Sequence, residues 1–411
     1  MAVIKSFRGY CPYPEIAKYV SSPPYDVMSS NEARNMVKNN SDSFLRVIKP
    51  EIDFPKNNEP KREALHQHGS NNLRELINKK KINQDLNPCF YLYQINMGNH
   101  TQTGVMAAVS VDEYNKEKIK KHEFTRPEKE DDRTNHIDII NGNTGPVFLT
   151  FKNDGEFQSI IKSYINNKPD IFINADDKTK HTLWKLENTD QISNLENYFN
   201  HISELYIADG HHRAASASRV QKIRENTNPN HTGKEAYNYF LSAIFPHDEM
   251  QILDYNRLVK DLNGLTKEQF LNKVDSNFFI TPITTRQQPN NNRKFSMLLD
   301  DIWYKLETKE NIQPTGPVDS LDASILQNYI LNPILGIDNP RTNDRIDFVG
   351  GIRGLQELER RCNVDAKIAF ALYPVSINDL INVADSGNVM PPKSTWFEPK
   401  LRSGLVVRLF D

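Results

Sequence analysis

The sequence predicts an α+β protein of mixed sheets with flanking helices. Three observations point there. Short apolar runs of strand length are interspersed with longer amphipathic stretches. No clean strand–helix–strand rhythm of a parallel sheet is present. One run, Glu204-Leu205-Tyr206-Ile207-Ala208, breaks at Asp209-Gly210 into an alanine-rich helical pattern that opens with His211-His212-Arg213.

Taken in order, residues 12–30 are rich in Pro, Ser and Tyr. The pair Pro23-Pro24 before Tyr25-Asp26 fixes an extended, stiff loop. Ser29 or Ser30 followed by Asn31-Glu32 reads as a helix cap and first turn. Phe44-Leu45-Arg46-Val47-Ile48 reads as a strand, and 55–60 as a polar loop. A helix is expected over Lys61–Lys80, with Leu65, Leu73, Leu76 and Ile77 as its apolar stripe. Phe90–Ile95 and Thr103–Val109 form a strand pair joined by Met97-Gly98-Asn99. A charged stretch covers 112–136. Further strands are expected at Pro146–Phe151, His181–Leu186 and Tyr237–Phe245. Beyond that come a helix at Thr266–Val274, a loop at 287–292, a helix at Leu355–Arg361, a strand at Ala366–Tyr373, a helix at Ser376–Ala384 and a strand at Leu405–Phe410. The character changes after about residue 260. This places a boundary there, with 1–260 carrying the Asp209–Arg213 turn and 261–411 carrying the Lys393 loop.

Composition bounds the function. The chain has 411 residues, 37% hydrophobic and 25% charged, which fits a globular protein of two or three domains. A formal net charge of -2 argues against a general nucleic-acid binder. Cys11, Cys89 and Cys362 are far apart and lack zinc-type spacing. The N-terminus has no signal-peptide pattern, and no apolar run reaches the ~20 residues of a membrane span. The expected location is cytoplasmic, with no membrane partner.

The chemistry concentrates in four clusters. The first is Asp209–Arg213. A strand-to-helix turn leaves backbone N–H groups unpaired, the helix dipole favours anions there, and Arg213 supplies a fork-shaped cation. Asp209 is a candidate general base or magnesium ligand; equally, it can act only as a cap on backbone N–H groups. Adjacent imidazoles at His211 and His212 chelate poorly, so no metal is assigned to them. The second cluster is Lys121-His122-Glu123-Phe124-Thr125-Arg126, continuing to Asp132-Arg133. Read as a helix, it aligns His122, Arg126, Lys129 and Arg133 in a cationic stripe, or else a solvated charged face. Third, Lys393-Ser394-Thr395 after Pro391-Pro392 offers a cation and two hydroxyls for phosphate, or an ordinary loop. It lacks P-loop glycines. Fourth, the Pro-Pro loop holds Tyr25 and Asp26. Gly350-Gly351-Ile352-Arg353-Gly354 lacks dinucleotide-binding spacing and reads as a turn.

These segments together resemble a widespread family of proteins of about this length, known as a domain of unknown function. The blocks that carry the resemblance are Pro23–Val27, His122–Thr125 with Asp132-Arg133, Ala208–Arg213, His247–Arg257 and Pro391–Leu405. The Asp-Gly-His-His-Arg turn is also similar to a motif of the ParB/sulfiredoxin-like group, which includes kinases of free serine. That resemblance implies a ParB/sulfiredoxin-like element around the turn. It further implies phosphoryl transfer to a small hydroxyl substrate, with free L-serine the best guess. Gly210, His211, His212 and Arg213 would then hold phosphate and Asp209 would lie at the reacting centre. Glu123 is the candidate base and Asp26 the reserve. His122, Thr125, Arg126, Arg133 and Tyr25 would support the substrate.

Phosphoryl transfer asks for cations and N–H groups around the moving group, one carboxylate near the attacking hydroxyl, and usually Mg2+ on the donor phosphates. ATP, ADP and pyrophosphate all remain open as donors. The competing readings are a ParB-like regulator that binds or hydrolyses nucleotides, and a phosphate-recognising scaffold without catalysis. The sequence does not specify an oligomeric state.

Overall fold

The computed structural model describes residues 2–56 and 58–410. Asn57, inside the expected polar loop 55–60, lies outside them. The chain divides into two compact units, Met1–Met250 with Pro399–Asp411, and Gln251–Glu398. The division falls between 250 and 251, ahead of the change in composition near 260, and residues 399–411 return to the first unit. The strand Tyr255–Val259 belongs to the sheet of the second unit, which explains the earlier break.

The first unit holds a mixed sheet of nine strands among the described residues. They are β1 (Ile4–Lys5), β2 (Phe90–Met97), β3 (His100–Ser110), β4 (Ile119–Lys120), β5 (Val147–Phe151), β6 (Ile171–Asn174), β7 (Thr179–Leu186), β8 (Leu205–Asp209) and β9 (Tyr239–Pro246). The order is β4-β8-β5-β9-β3-β2-β7-β6, with β1 on β3. The pairs β4–β8 and β5–β9 are parallel and the rest antiparallel, the mixture expected of an α+β fold. β2 and β3 form the expected hairpin, longer than the apolar runs alone indicate. It turns at Gly98-Asn99, where Gly98 takes φ +58°.

Three helices shape the site. They are α1 (Arg62–Asn78), α2 (Pro127–Ile140) and α3 (His211–Thr227). Leu73 and Leu76 of α1 are buried as expected. α2 packs against α3, where Ser216 Oγ donates to the Glu130 carbonyl at 3.0 Å and Arg219 pairs with Asp131 at 2.6 Å. One core lies under β8, β5 and β3 and takes Leu149, Leu205, Ile207, Ala214 and Ala217. A second gathers Val20, Phe44, Val47, Leu73, Ile140 and Val407.

Three expectations are corrected. Phe44–Ile48 is not a strand: Leu45–Ile48 is one helical turn packed in the second core, its Arg46 carbonyl accepting from Asn72 Nδ2 of α1 at 2.9 Å. Strand propensity measures fit to a pleated surface, and among the described residues no strand pairs with this segment. The stripe from His122 to Arg133 is not one helix either. α2 begins at Pro127, which removes an N–H that the first helical turn does not use. Arg126 precedes the proline and is extended at φ -97°, ψ 128°. His122 and Arg126 therefore sit in a loop. The strand expected over Leu405–Phe410 shrinks to Arg408–Leu409, paired with Gly142–Asn143.

The second unit has a six-stranded sheet, ordered β11-β13-β12-β15-β10-β14 from β10 (Tyr255–Val259), β11 (Phe278–Ile283), β12 (Lys294–Leu299), β13 (Ile302–Thr308), β14 (Ile346–Gly350) and β15 (Ile368–Ala371). Its helices Lys267–Asp275 and Ile377–Asp385 carry capping boxes from Thr266 and Ser376. Gly351–Arg353 is a short turn, as its glycines indicate. No helix among the described residues is long and apolar enough to cross a membrane.

Candidate functional site

β8 runs into the sheet with Leu205 and Ile207 fully buried. Strand alternation alone would put Asp209 on that same core-facing side. A register shift between Ile207 and Asp209 breaks the alternation, and Asp209 pairs opposite Phe148 with its side chain 42% exposed. Such bulges re-aim a side chain at the end of a strand. Gly210 then takes φ +98°, ψ 27° and caps α3. An added Cβ there would meet Val147 and Arg213 only at 3.5 and 3.6 Å, so backbone conformation rather than space calls for glycine.

Lys400 Nζ sits 3.0 Å from Asp209 Oδ2. Burial raises the Asp209 pKa, but the Lys400 charge and hydrogen bond, with His211 and the Gly210 N–H, outweigh it and hold the carboxyl ionised below its usual range. Arg213 lies with its guanidinium carbon 5.3 Å from the Tyr25 ring centre, and Arg133 covers the same ring at 4.3 Å. Arg133 is held by Asp132 through Nε at 3.0 Å and Nη2 at 2.5 Å. No carboxylate among the described residues pairs with Arg213. Gly145 lies against it: an added Cβ would fall 2.2 Å from Arg213 Nη1.

The histidine pair has another task. His211 Nε2 accepts from the His122 N–H at 3.3 Å, and His212 Nε2 accepts from the Arg126 N–H at 3.0 Å. The two rings clamp both ends of the His122–Arg126 loop onto the start of α3. Both are thereby neutral with the proton on Nδ1. The cation of the turn is Arg213. The main-chain N–H groups of His211 and His212 have no acceptor within the helix, as in the first turn of any α-helix.

Glu123 lies on the clamped loop. Thr125 Oγ1 donates to Glu130 Oε2 at 2.8 Å, closing the loop onto α2. Asp26 is exposed, and its charge acts on Tyr25, Arg133 and His212. The Ser22–Asp26 loop is pinned where Ser22 and Ser403 exchange two main-chain hydrogen bonds of 2.9 Å. The fold thus gathers Tyr25, Asp26, the 122–126 loop, Arg133 and Asp209–Arg213 in one region of the first unit. Lys393, Ser394 and Thr395 belong to the second unit. There Lys393 takes φ +58° with its Nζ 5.5 Å from the Tyr255 ring centre, and Ser394 Oγ donates to the Pro391 carbonyl at 2.7 Å.

Sequence reasoning missed Lys400, which sat inside the Pro391–Leu405 block without any local sign that it meets a carboxylate 191 positions earlier. It also missed His66 and His136. Their rings are 5.5 Å apart, and His66 is 3.2 Å from Asp132. The i,i+4 spacing of Asp132 and His136 on α2 was the available signal.

Burial lowers the pKa of several histidines. His122 is 1% exposed with neither ring nitrogen in hydrogen-bond geometry. Burial drives it down to about 4, only partly offset by the Ile207 carbonyl and the Asp209 charge. His181 falls to about 3, and His136 and His211 fall well below normal, burial leading in each case. These groups are neutral when folded, whereas the unfolded chain binds their protons near pH 6.5. Their contribution is therefore complete above that pH and is lost as pH falls from about 6.5 towards 4, each costing about 1.4 kcal/mol per pH unit. Urea unfolding at about pH 7.5 and about pH 5 checks this: the midpoint should drop clearly at the lower pH, and equal midpoints would contradict it.

A family model matches residues 4–324, and its description is protein of unknown function, DUF1015. The chain belongs to this family. The match covers the Pro23–Val27, His122–Arg133 and Ala208–Arg213 segments, and Lys393–Lys400 lie beyond it. No curated protein matches the sequence. Among solved structures, the fold is similar to C-terminally truncated SbnI from Staphylococcus aureus, at 12% identity and TM-score 0.39, covering 74% of this chain and 87% of that one. It is similar to a conserved hypothetical protein from Pyrococcus furiosus, at 13% identity and TM-score 0.35, covering 75% and 95%. It is also similar to a free serine kinase in complex with AMP, at 12% identity and TM-score 0.34, covering 74% and 92%.

Among the described residues no three His, Cys, Asp or Glu side chains are arranged to hold a metal ion. Magnesium does not need such a cage. It keeps several waters and binds through one or two carboxylates plus donor phosphates. Asp209, ionised and partly exposed beside the turn, fits that role.

Proposed function

We propose that this member of the family is a phosphotransferase. It moves a phosphoryl group from a nucleotide or pyrophosphate to a small hydroxyl substrate, with free L-serine as the first candidate acceptor. One observation carries the reading. At the Gly210 turn, the first-turn amides of His211 and His212 directly follow the ionised Asp209 that pairs with Lys400, and Arg213, with no carboxylate partner among the described residues, is the third residue of the same helix.

In this reading, the first-turn amides and Arg213 hold the donor phosphates. Lys400 neutralises charge developing on the transferred group, and Asp209 holds Lys400 in place. Asp209 would also carry Mg2+, which supplies charge neutralisation across the donor phosphates. The acceptor hydroxyl oxygen bonds to the terminal phosphorus as the bond to the bridging oxygen breaks. The electron pair leaves with the shortened donor, and the hydroxyl proton passes to a carboxylate. Asp209 is too acidic and too firmly paired for that last task. Glu123, on the clamped loop, is assigned the base role, with Asp26 in reserve. His211 and His212 position the loop. Thr125 closes it onto α2, and Tyr25 spaces the two arginines.

Incubation with magnesium, each donor in turn and a panel of hydroxyl amino acids and sugars tests this. Phosphoserine is the expected product. Donor hydrolysis without transfer would instead identify a nucleotide-hydrolysing regulator. Inertness towards every donor would leave a scaffold.

A further inference from the structure

Behind the turn lies a small cavity of about 20 Å³. Arg133, His136, Asn143, Thr144 and Arg213 give it polar lining, and the Asn143 side-chain oxygen is already taken by the Leu241 N–H at 3.1 Å. No acidic side chain lines it, although two guanidinium groups do. Only Arg133 has a carboxylate partner, Asp132. His136 is 2% exposed; its Nε2 meets Thr144 Oγ1 at 3.2 Å while Nδ1 has no partner. Buried polar groups are normally satisfied, so an unpaired imidazole nitrogen beside two arginines marks a place built for an anionic group.

We infer that this cavity takes the carboxylate of the phosphoryl acceptor, so that the substrates are hydroxy acids, hydroxyl amino acids included. The inference rests on the phosphotransferase reading. Size limits the occupant: space for about one or two water-sized atoms takes the oxygens of a carboxylate and excludes a phosphate chain. Geometry agrees: Arg133 spends Nε and Nη2 on Asp132 and contributes its charge, while the Arg213 fork matches a planar carboxylate. With the Thr144 hydroxyl donating to Nε2, the neutral His136 ring presents Nδ1–H as a further donor. The donor phosphates already have the Gly210 turn. Arg213 borders both places, which brings the two reactants together.

The test compares acceptors on the unaltered protein. L-serine and D-glycerate should be phosphorylated, and L-serine amide, which keeps the hydroxyl but lacks the carboxylate, should lose about tenfold or more in kcat/KM. Arg133→Gln should raise KM for L-serine by a similar factor and leave KM for the donor unchanged, and it should not further weaken the amide. Equal use of serine and its amide overturns the inference alone, as does an Arg133→Gln effect confined to the donor. Transfer to no hydroxyl compound at all overturns the phosphotransferase reading and this inference with it.

Discussion

Asp209→Asn protein should fold but turn over on the order of 10²–10³ times more slowly. The substitution keeps the shape of the side chain and removes its charge. Lys400, whose side chain is 17% exposed, loses the Asp209 charge, and the proposed magnesium ligand goes with it. Removing one such electrostatic group from a reacting centre costs on the order of 10²–10³ in kcat. The structural cost is small by comparison. A partly exposed ion pair contributes about 1 kcal/mol or less, and a shift of a few degrees at most is expected in the unfolding midpoint. Steady-state kinetics and thermal unfolding on the same preparation separate the two effects. Full activity in this variant would remove Asp209 from the mechanism. Loss of the fold would show that the pair is structural.

Substitutions at Gly210 should rank by backbone tolerance. At φ +98°, ψ 27° an L-residue is strained, by about 1–3 kcal/mol, and a β-branched one most of all. Asparagine tolerates left-handed conformations better than alanine or valine. The surrounding atoms leave room for a Cβ, so size is not the cause. Gly210→Asn should keep the most donor affinity, Gly210→Ala less, and Gly210→Val should lose at least about 100-fold as the first-turn amides rotate away from the phosphates. Calorimetric donor titration measures the series. An equal response in all three would mean that the turn geometry does not carry binding.

Much of this arrangement is legible locally. The Ser29–Glu32 capping box, the Gly98-Asn99 hairpin and the break at Asp209-Gly210 each follow from a few adjacent residues, and each is present. What depends on distant partners is not legible. Leu45–Ile48 carries strand-forming residues yet packs as a helical turn, because no strand lies in register to pair with it among the described residues. The His122–Arg126 loop looks like helix until Pro127 is weighed as a first-turn residue. Its position is then set by two imidazoles about 90 residues away in sequence. Lys400 meets Asp209 only because residues 399–411 return to the first unit. The re-aiming of Asp209 comes from a bulge visible only in the strand pairing.

The central claim is that the bend at Gly210 grips phosphoryl groups through main-chain amides and Arg213. Calorimetric titration of ADP and of pyrophosphate, each with magnesium, into the protein and into its Arg213→Gln variant tests it most directly. The account predicts saturable binding of at least one of these to the unaltered protein, weakened about tenfold or more in the variant. Binding of neither compound, or binding that the variant keeps in full, would contradict it.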